Sequence, residues 1–155
     1  MEVMNPYILL PLFPLVANLL LGIYVIRVNP SQVQNRLFFL LTMAIVFWSL
    51  MRILMYGACD PDTALYWSHF DTLGAAFLGV FVLHFFLVFT RIQNAAVKYS
   101  LLIPAYLLAA GLSVADLFSN IIDAPPVPQY WGYFSPPGPL FALNVGFVIA
   151  CILLG

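Results

Sequence analysis

Arg52 and Asp71 each stand in a long stretch that carries no other charge, and His69 and His84 lie in the same stretch as Asp71. An arginine and an aspartate in such surroundings could form a buried ion pair or hold a polar ligand. Two histidines spaced fifteen residues apart could serve as axial ligands to haem groups near opposite faces of a membrane. On a helix they would be separated by about 60° around the axis and about 22 Å along it. Each haem needs a second axial ligand, however, and the chain has 2 histidines in all. Cys59 falls in a turn, and about 1.5 Å of rise per helical residue puts Cys151 about 18 Å from that level, too far for a disulfide within one chain. No CxxC, HExxH, Walker or GxGxxG pattern occurs, and polar residues are too few to argue a Ser/His/Asp triad. The residues give no ground for catalysis, a cofactor or a metal.

What those few polar groups do depends on the solvent around them. Of the 155 residues, 64% are hydrophobic and 7% charged, and the mean hydropathy is +1.03. A soluble domain carries about 25% charged residues, so the surface of this chain suits lipid rather than water. The net charge of −1 provides no basic field for nucleic acid.

The elements that must position Arg52 and Asp71 are five apolar segments, at residues 7–26, 37–58, 65–90, 99–117 and 140–154. A hydrocarbon core about 30 Å thick needs roughly 20 helical residues, which the first four supply or approach. Backbone groups in lipid must be paired internally, and no strand-like alternation is present. The expected fold is all-α: a polytopic membrane bundle of five transmembrane helices forming one domain over residues 1–155. None of these helices is expected to carry a lysine, which excludes a retinal Schiff base.

Arg27 and Arg36 fall in one connection, Arg91 and Lys98 in another, while "CDPD" and residues 119–139 carry acids and no bases. The positive-inside rule places the two basic connections in the cytoplasm and the N-terminus outside. "MEVMNPY" lacks the basic start of a signal peptide, so the first helix is retained. The outer connection, "APPVPQYWGYFSPPGP", should run extended and free of regular strands. Tyr130, Trp131, Tyr133 and Phe134 suit the headgroup layer, with a ligand-binding lid as the alternative.

A short turn near residue 61 makes the second and third helices antiparallel neighbours, and positions 52 and 71 are equidistant from it. Arg52 and Asp71 should therefore meet at one depth. The same arithmetic pairs Trp48 with Ala75 and Ala44 with Gly79. His69 points about 200° away from Asp71 and belongs to the interface. His84 should bond a neighbouring helix, and Asp116, near a helix end, should reach water.

Three stretches carry a resemblance. "NRLFFLLTMAIVFWSLMRIL", with Asn35, Arg36, Phe38 and Trp48, resembles the second helix of the seven-helix N-terminal region of bacterial and archaeal sensor histidine kinases and related signalling proteins. "LYWSHFDTLGAAFLGVFVLHFFLVFT", with Trp67 early and Phe85, Phe86 and Phe89 late, is similar to its third helix. "YWGYFSPPGPLFALNVGF" looks like its outer loop leading into the fifth. The resemblance implies an outside N-terminus, a location in the prokaryotic cell (inner) membrane, two further helices and a cytoplasmic output domain. Against that pattern the chain stops at Gly155 within the fifth helix, as a fragment or a shortened relative would.

The expected function is a non-catalytic sensory input region, with Trp48, Arg52, Asp71 and Trp67 forming an outer polar pocket and Tyr130 and Trp131 in its cover. The expected partners are the lipid bilayer and either other membrane subunits or the missing output domain. The alternative is a structural accessory subunit of a larger membrane complex. The topology is tested by labelling: a membrane-impermeant maleimide should modify Cys59 in intact cells. Modification only after permeabilisation would reverse the orientation.

Overall fold

The computed structural model describes residues 5–91 and 94–155. Residues 1–4, and Ile92 and Gln93 of the second basic connection, lie outside the described residues. A single 3-10 turn, Pro6–Ile8, leads into α1, Leu9–Val28. It is followed by α2, Val33–Tyr56, α3, Pro61–Phe89, α4, Ala95–Phe118, and α5, Phe141–Leu154. Helices α1 to α4 are long and apolar enough to cross a membrane, and α5, at 14 residues, is shorter.

Local chemistry sets the helix starts. Asp60 caps α3 by accepting Thr63 N at 2.8 Å, and Pro61 fits the first turn, where its missing N–H costs nothing. The helix therefore begins four residues before the expected Leu65. Asn94 caps α4 by accepting from Ala96 N and Val97 N, so that α4 begins at Ala95 rather than Tyr99. This overturns the expectation that no helix holds a lysine, since Lys98 lies in the first turn of α4.

Helix α3 is the centre of the bundle and packs against α2, α4 and α5, while α1 packs on α2. Its buried residues run around the helix rather than along one stripe, and the small ones mark the close approaches. A Cβ at Gly74 would stand 2.8 Å from Trp48 Cβ and 3.0 Å from Trp48 Cα, so α2 crosses α3 there in near backbone contact. Gly79 instead faces α5, with Val148 and Cys151 as its nearest neighbours. The expected partners for Trp48 and Ala44 therefore need correction. Trp48 sits on Gly74, three residues after Asp71 rather than four, and Gly79 serves a different helix. Below these contacts Ala76, Val80, Leu83 and Leu87 of α3 form an apolar core with Leu102, Ala105 and Ala109 of α4 and Cys151 of α5.

The connection from Ser119 to Leu140 is not strand-free. Val127–Gln129 (β1) and Gly132–Phe134 (β2) form an antiparallel hairpin, with Gln129 opposite Gly132. Pro128 faces Tyr133, and in the alternation of antiparallel pairs that position, next to the turn-closing pair, exchanges no hydrogen bond. The proline therefore costs the ladder nothing. Gly132 has φ +122°, and a Cβ there would lie 2.6 Å from the carbonyl oxygen of Tyr56, so both conformation and space require glycine. The strand residues are exposed or half-buried, and the hairpin has no core of its own. It leans on the end of α2 and on the segment just before α1, where Asn5 Nδ2 donates to the carbonyls of Trp131 at 2.6 Å and Tyr56 at 3.2 Å.

Gly74→Ala should force α2 away from α3 and destabilise the protein by about 1–3 kcal/mol, as overpacking does. Gly111→Ala, with nothing within 4 Å of the added carbon, should be neutral or stabilising by up to about 1 kcal/mol. Thermal unfolding in nanodiscs compares the two variants directly.

Candidate functional site

At the hairpin end of the bundle, Arg52 on α2 and Asp71 on α3 form an ion pair, Nη2 to Oδ2, at 2.7 Å. The Arg52 guanidinium also lies over the Trp48 ring, 5.7 Å from its centroid, so the indole orients the cation from one helical turn away. The aspartate side chain is 6% exposed and the arginine 25%, which leaves the cation the more accessible partner.

A second polar group adjoins the pair. Thr72 Oγ1 donates to Asp116 Oδ2 at 2.6 Å and lies 3.3 Å from Asp123 Oδ2. The other Asp116 oxygen accepts the backbone N–H groups of Ile122 at 2.8 Å and Asp123 at 3.2 Å. Asp116 is fully buried and does not reach water as expected, because the chain beyond α4 folds back over it and supplies those donors. The same segment is closed by backbone bonds from Ala124 N to Pro136 O at 2.8 Å and from Gly138 N to Ile122 O at 2.7 Å. Asp116 thereby pins the start of a strap, residues 121–138, whose far end carries the hairpin. Burial, with the adjacent Asp71 and Asp116 charges, pushes the Asp123 carboxyl up to about 7, while the Arg52 charge pulls it back.

A cavity of about 250 Å³ lies between α2, α3 and α5 beside this cluster. Trp48, Arg52, Asp71 and Asp123 meet there with Asn144, and Leu78, Val148 and Ile149 make its wall apolar. Among the described residues, Trp48 Nε1, Asp71 Oδ1 and Asn144 Oδ1 are buried without a partner at hydrogen-bond geometry, so the hairpin end of the bundle gathers polar atoms beside the cavity.

Of the candidate residues, Trp48, Arg52 and Asp71 come together. Trp67 packs edge-to-face on Tyr66 at 4.9 Å, one turn from Asp71, and is not part of the cavity wall. Tyr130 is 82% exposed, lies 5.7 Å from Tyr7 and 4.4 Å from Trp131, and both turn residues stand apart from the cavity. Sequence reasoning missed Thr72, Asp123 and Asn144. Thr72 directly follows Asp71, but its role depends on α4. Asp123 precedes the proline run and reads as an ordinary loop acid.

His69 Nε2 meets Asn120 Oδ1 at 2.8 Å, and His84 Nδ1 meets Tyr106 of α4 at 3.0 Å, which gives both rings protein partners. Among the described residues, no three His, Cys, Asp or Glu side chains gather as a metal-binding group.

Arg52→Ala or Asp71→Ala alone should cost about 3–5 kcal/mol, because each leaves a buried charge without its partner. The double variant should cost less than the sum of the two, by a thermal-unfolding cycle.

Comparison with known proteins adds the family. Searches of curated proteins and of solved structures return no match. Residues 10–155 match the family described as the N-terminal 7TM region of histidine kinase, a sensory region distinct from the catalytic one. These comparisons lend no support to an accessory subunit. With nearly its whole length matched, and helices that suit a multi-pass membrane protein, the chain belongs to the family of N-terminal seven-helix membrane regions of histidine kinases.

Proposed function

We propose that the chain is the non-catalytic sensory input of a prokaryotic inner-membrane signalling protein, receiving a stimulus at the outer face and passing it inward by helix rearrangement. The observation that carries this reading is the cavity where α2, α3 and α5 meet beside the Arg52–Asp71 pair. A stimulus shifts a conformational equilibrium only if it interacts unequally with two arrangements. A group bound between three helices, and against the ion pair that ties two of them, meets that condition. Trp48, Arg52 and Asp71 would contact the bound group, while Trp67, Tyr130 and Trp131 would hold the outer ends of the bundle at the headgroup layer.

The apolar walls favour a small group with a limited polar end. Filling the cavity should imitate or block it. Ala75 lines the wall, so Ala75→Phe should leave the fold intact and change the output of the full-length protein several-fold. Unchanged output with the cavity filled would remove the cavity from the sensory pathway. The charge swap Arg52→Asp with Asp71→Arg is the complementary test. If folding recovers and output does not, the pair reads the stimulus; if both recover, it is a clamp.

A further inference from the structure

Thr72 has one hydroxyl proton and two carboxyl groups beside it. The shorter contact, 2.6 Å to Asp116 against 3.3 Å to Asp123, is the better hydrogen bond for that proton. With that donation Asp116 acts as an acceptor at both oxygens, since its Oδ1 takes two backbone N–H groups. Asp123 Oδ2 is left facing the lone pairs of Thr72 Oγ1 at 3.3 Å. If Asp123 were ionised, this contact would set oxygen against oxygen with no hydrogen between them. A proton on Asp123 completes a chain in which Asp123 donates to Thr72 and Thr72 donates to Asp116.

We propose that Asp123 is a proton-binding site whose protonated form closes the strap over the outer ends of α3 and α4, and whose ionised form releases it. The charges around it come from every neighbouring element. Arg52 lies on α2, Asp71 on α3 and Asp116 on α4, while α5 contributes the uncharged Asn144. Among the described residues His69, bonded to Asn120 just before the strap, is a further titratable group nearby. With Asp71 paired to Arg52, ionised Asp123 adds a carboxylate beside Asp116 with no cation of its own among the described residues. The elevation of its carboxyl to about 7 agrees with this geometry.

The sign follows from proton uptake. Between the ordinary aspartate range near about 4 and the folded value, the native protein binds more protons than the unfolded chain. Stability from this group is therefore greatest at acid pH and falls as pH rises through neutrality. Among the described residues the cation beside ionised Asp123 is Arg52, and in turning toward it Asp123 would compete with Asp71 for the guanidinium that ties α2 to α3. Loss of the Asp123 proton thus loosens the strap and strains the clamp together. As a stimulus site this rests on the sensory role proposed above; as a proton site it does not.

The test uses the full-length protein in nanodiscs, titrated from about pH 5 to about pH 9 across the site. Infrared difference spectra should show a carboxylic C=O band that disappears with a midpoint near neutrality in the wild type and in His69→Gln, and is missing in Asp123→Asn. Hydrogen exchange in residues 121–138 should rise above that midpoint in the wild type and stay low in Asp123→Asn, whose amide can donate to Thr72 without titrating. A band that persists in Asp123→Asn, or exchange that follows His69 instead, overturns the proton site. If band and exchange behave as stated while kinase output ignores pH, the proton site stands and its role as the stimulus falls.

Discussion

The Arg52–Asp71 pair fixes the hairpin end of this bundle because an arginine that stays charged and a buried aspartate are each costly in an apolar surround without the other. At 2.7 Å, with Asp71 almost wholly buried, the pair sets the depth at which α2 meets α3. The packing beneath it must then bring two helices to that separation. Gly74 supplies the room by letting the Trp48 backbone come within contact distance, and Trp48 returns its ring to the Arg52 guanidinium. Charge, small residue and aromatic plate thus form one arrangement on adjoining turns.

The second polar group obeys the same rule with different donors. Among the described residues Asp116 has no basic partner within hydrogen-bond reach, and it is satisfied by Thr72 and by two backbone N–H groups of the returning chain. Satisfying that carboxylate bends the chain after α4 back over the bundle and gives the proline-rich connection a fixed origin. From there the strap carries its hairpin to the end of α2, where Asn5, just before α1, closes the circuit by donating to both Tyr56 and Trp131. The polar contacts at this end tie α2, α3, α4, the strap and Asn5 before α1 into one unit, while the lower half is held by apolar packing around α3. An input acting at the polar end would therefore reach the other end through rigid helices rather than through a chain of polar contacts.

Composition alone settled the solvent, since eleven charged residues cannot cover a water-soluble globule of this length. The solvent in turn settled the helices, because backbone groups in lipid must pair within their own segment. The equal distance of positions 52 and 71 from a short turn was also visible in the sequence, being a property of antiparallel hairpins. Tertiary structure decided which face each small residue serves. Gly74 and Gly79 look alike in sequence, yet one admits α2 and the other α5, a distinction set by where α5 returns. It also decided the fate of Asp116 and Asp123, whose surroundings are made by a chain reversal that has no local signal. The hairpin became possible only where Tyr56 and Asn5 wait for the backbone of residues 131 and 132, a contact between segments far apart in the chain. Local periodicity and lipid solvation act along the chain and can be read from it; the satisfaction of a buried carboxylate acts across the chain and can be read only once the helices are assembled.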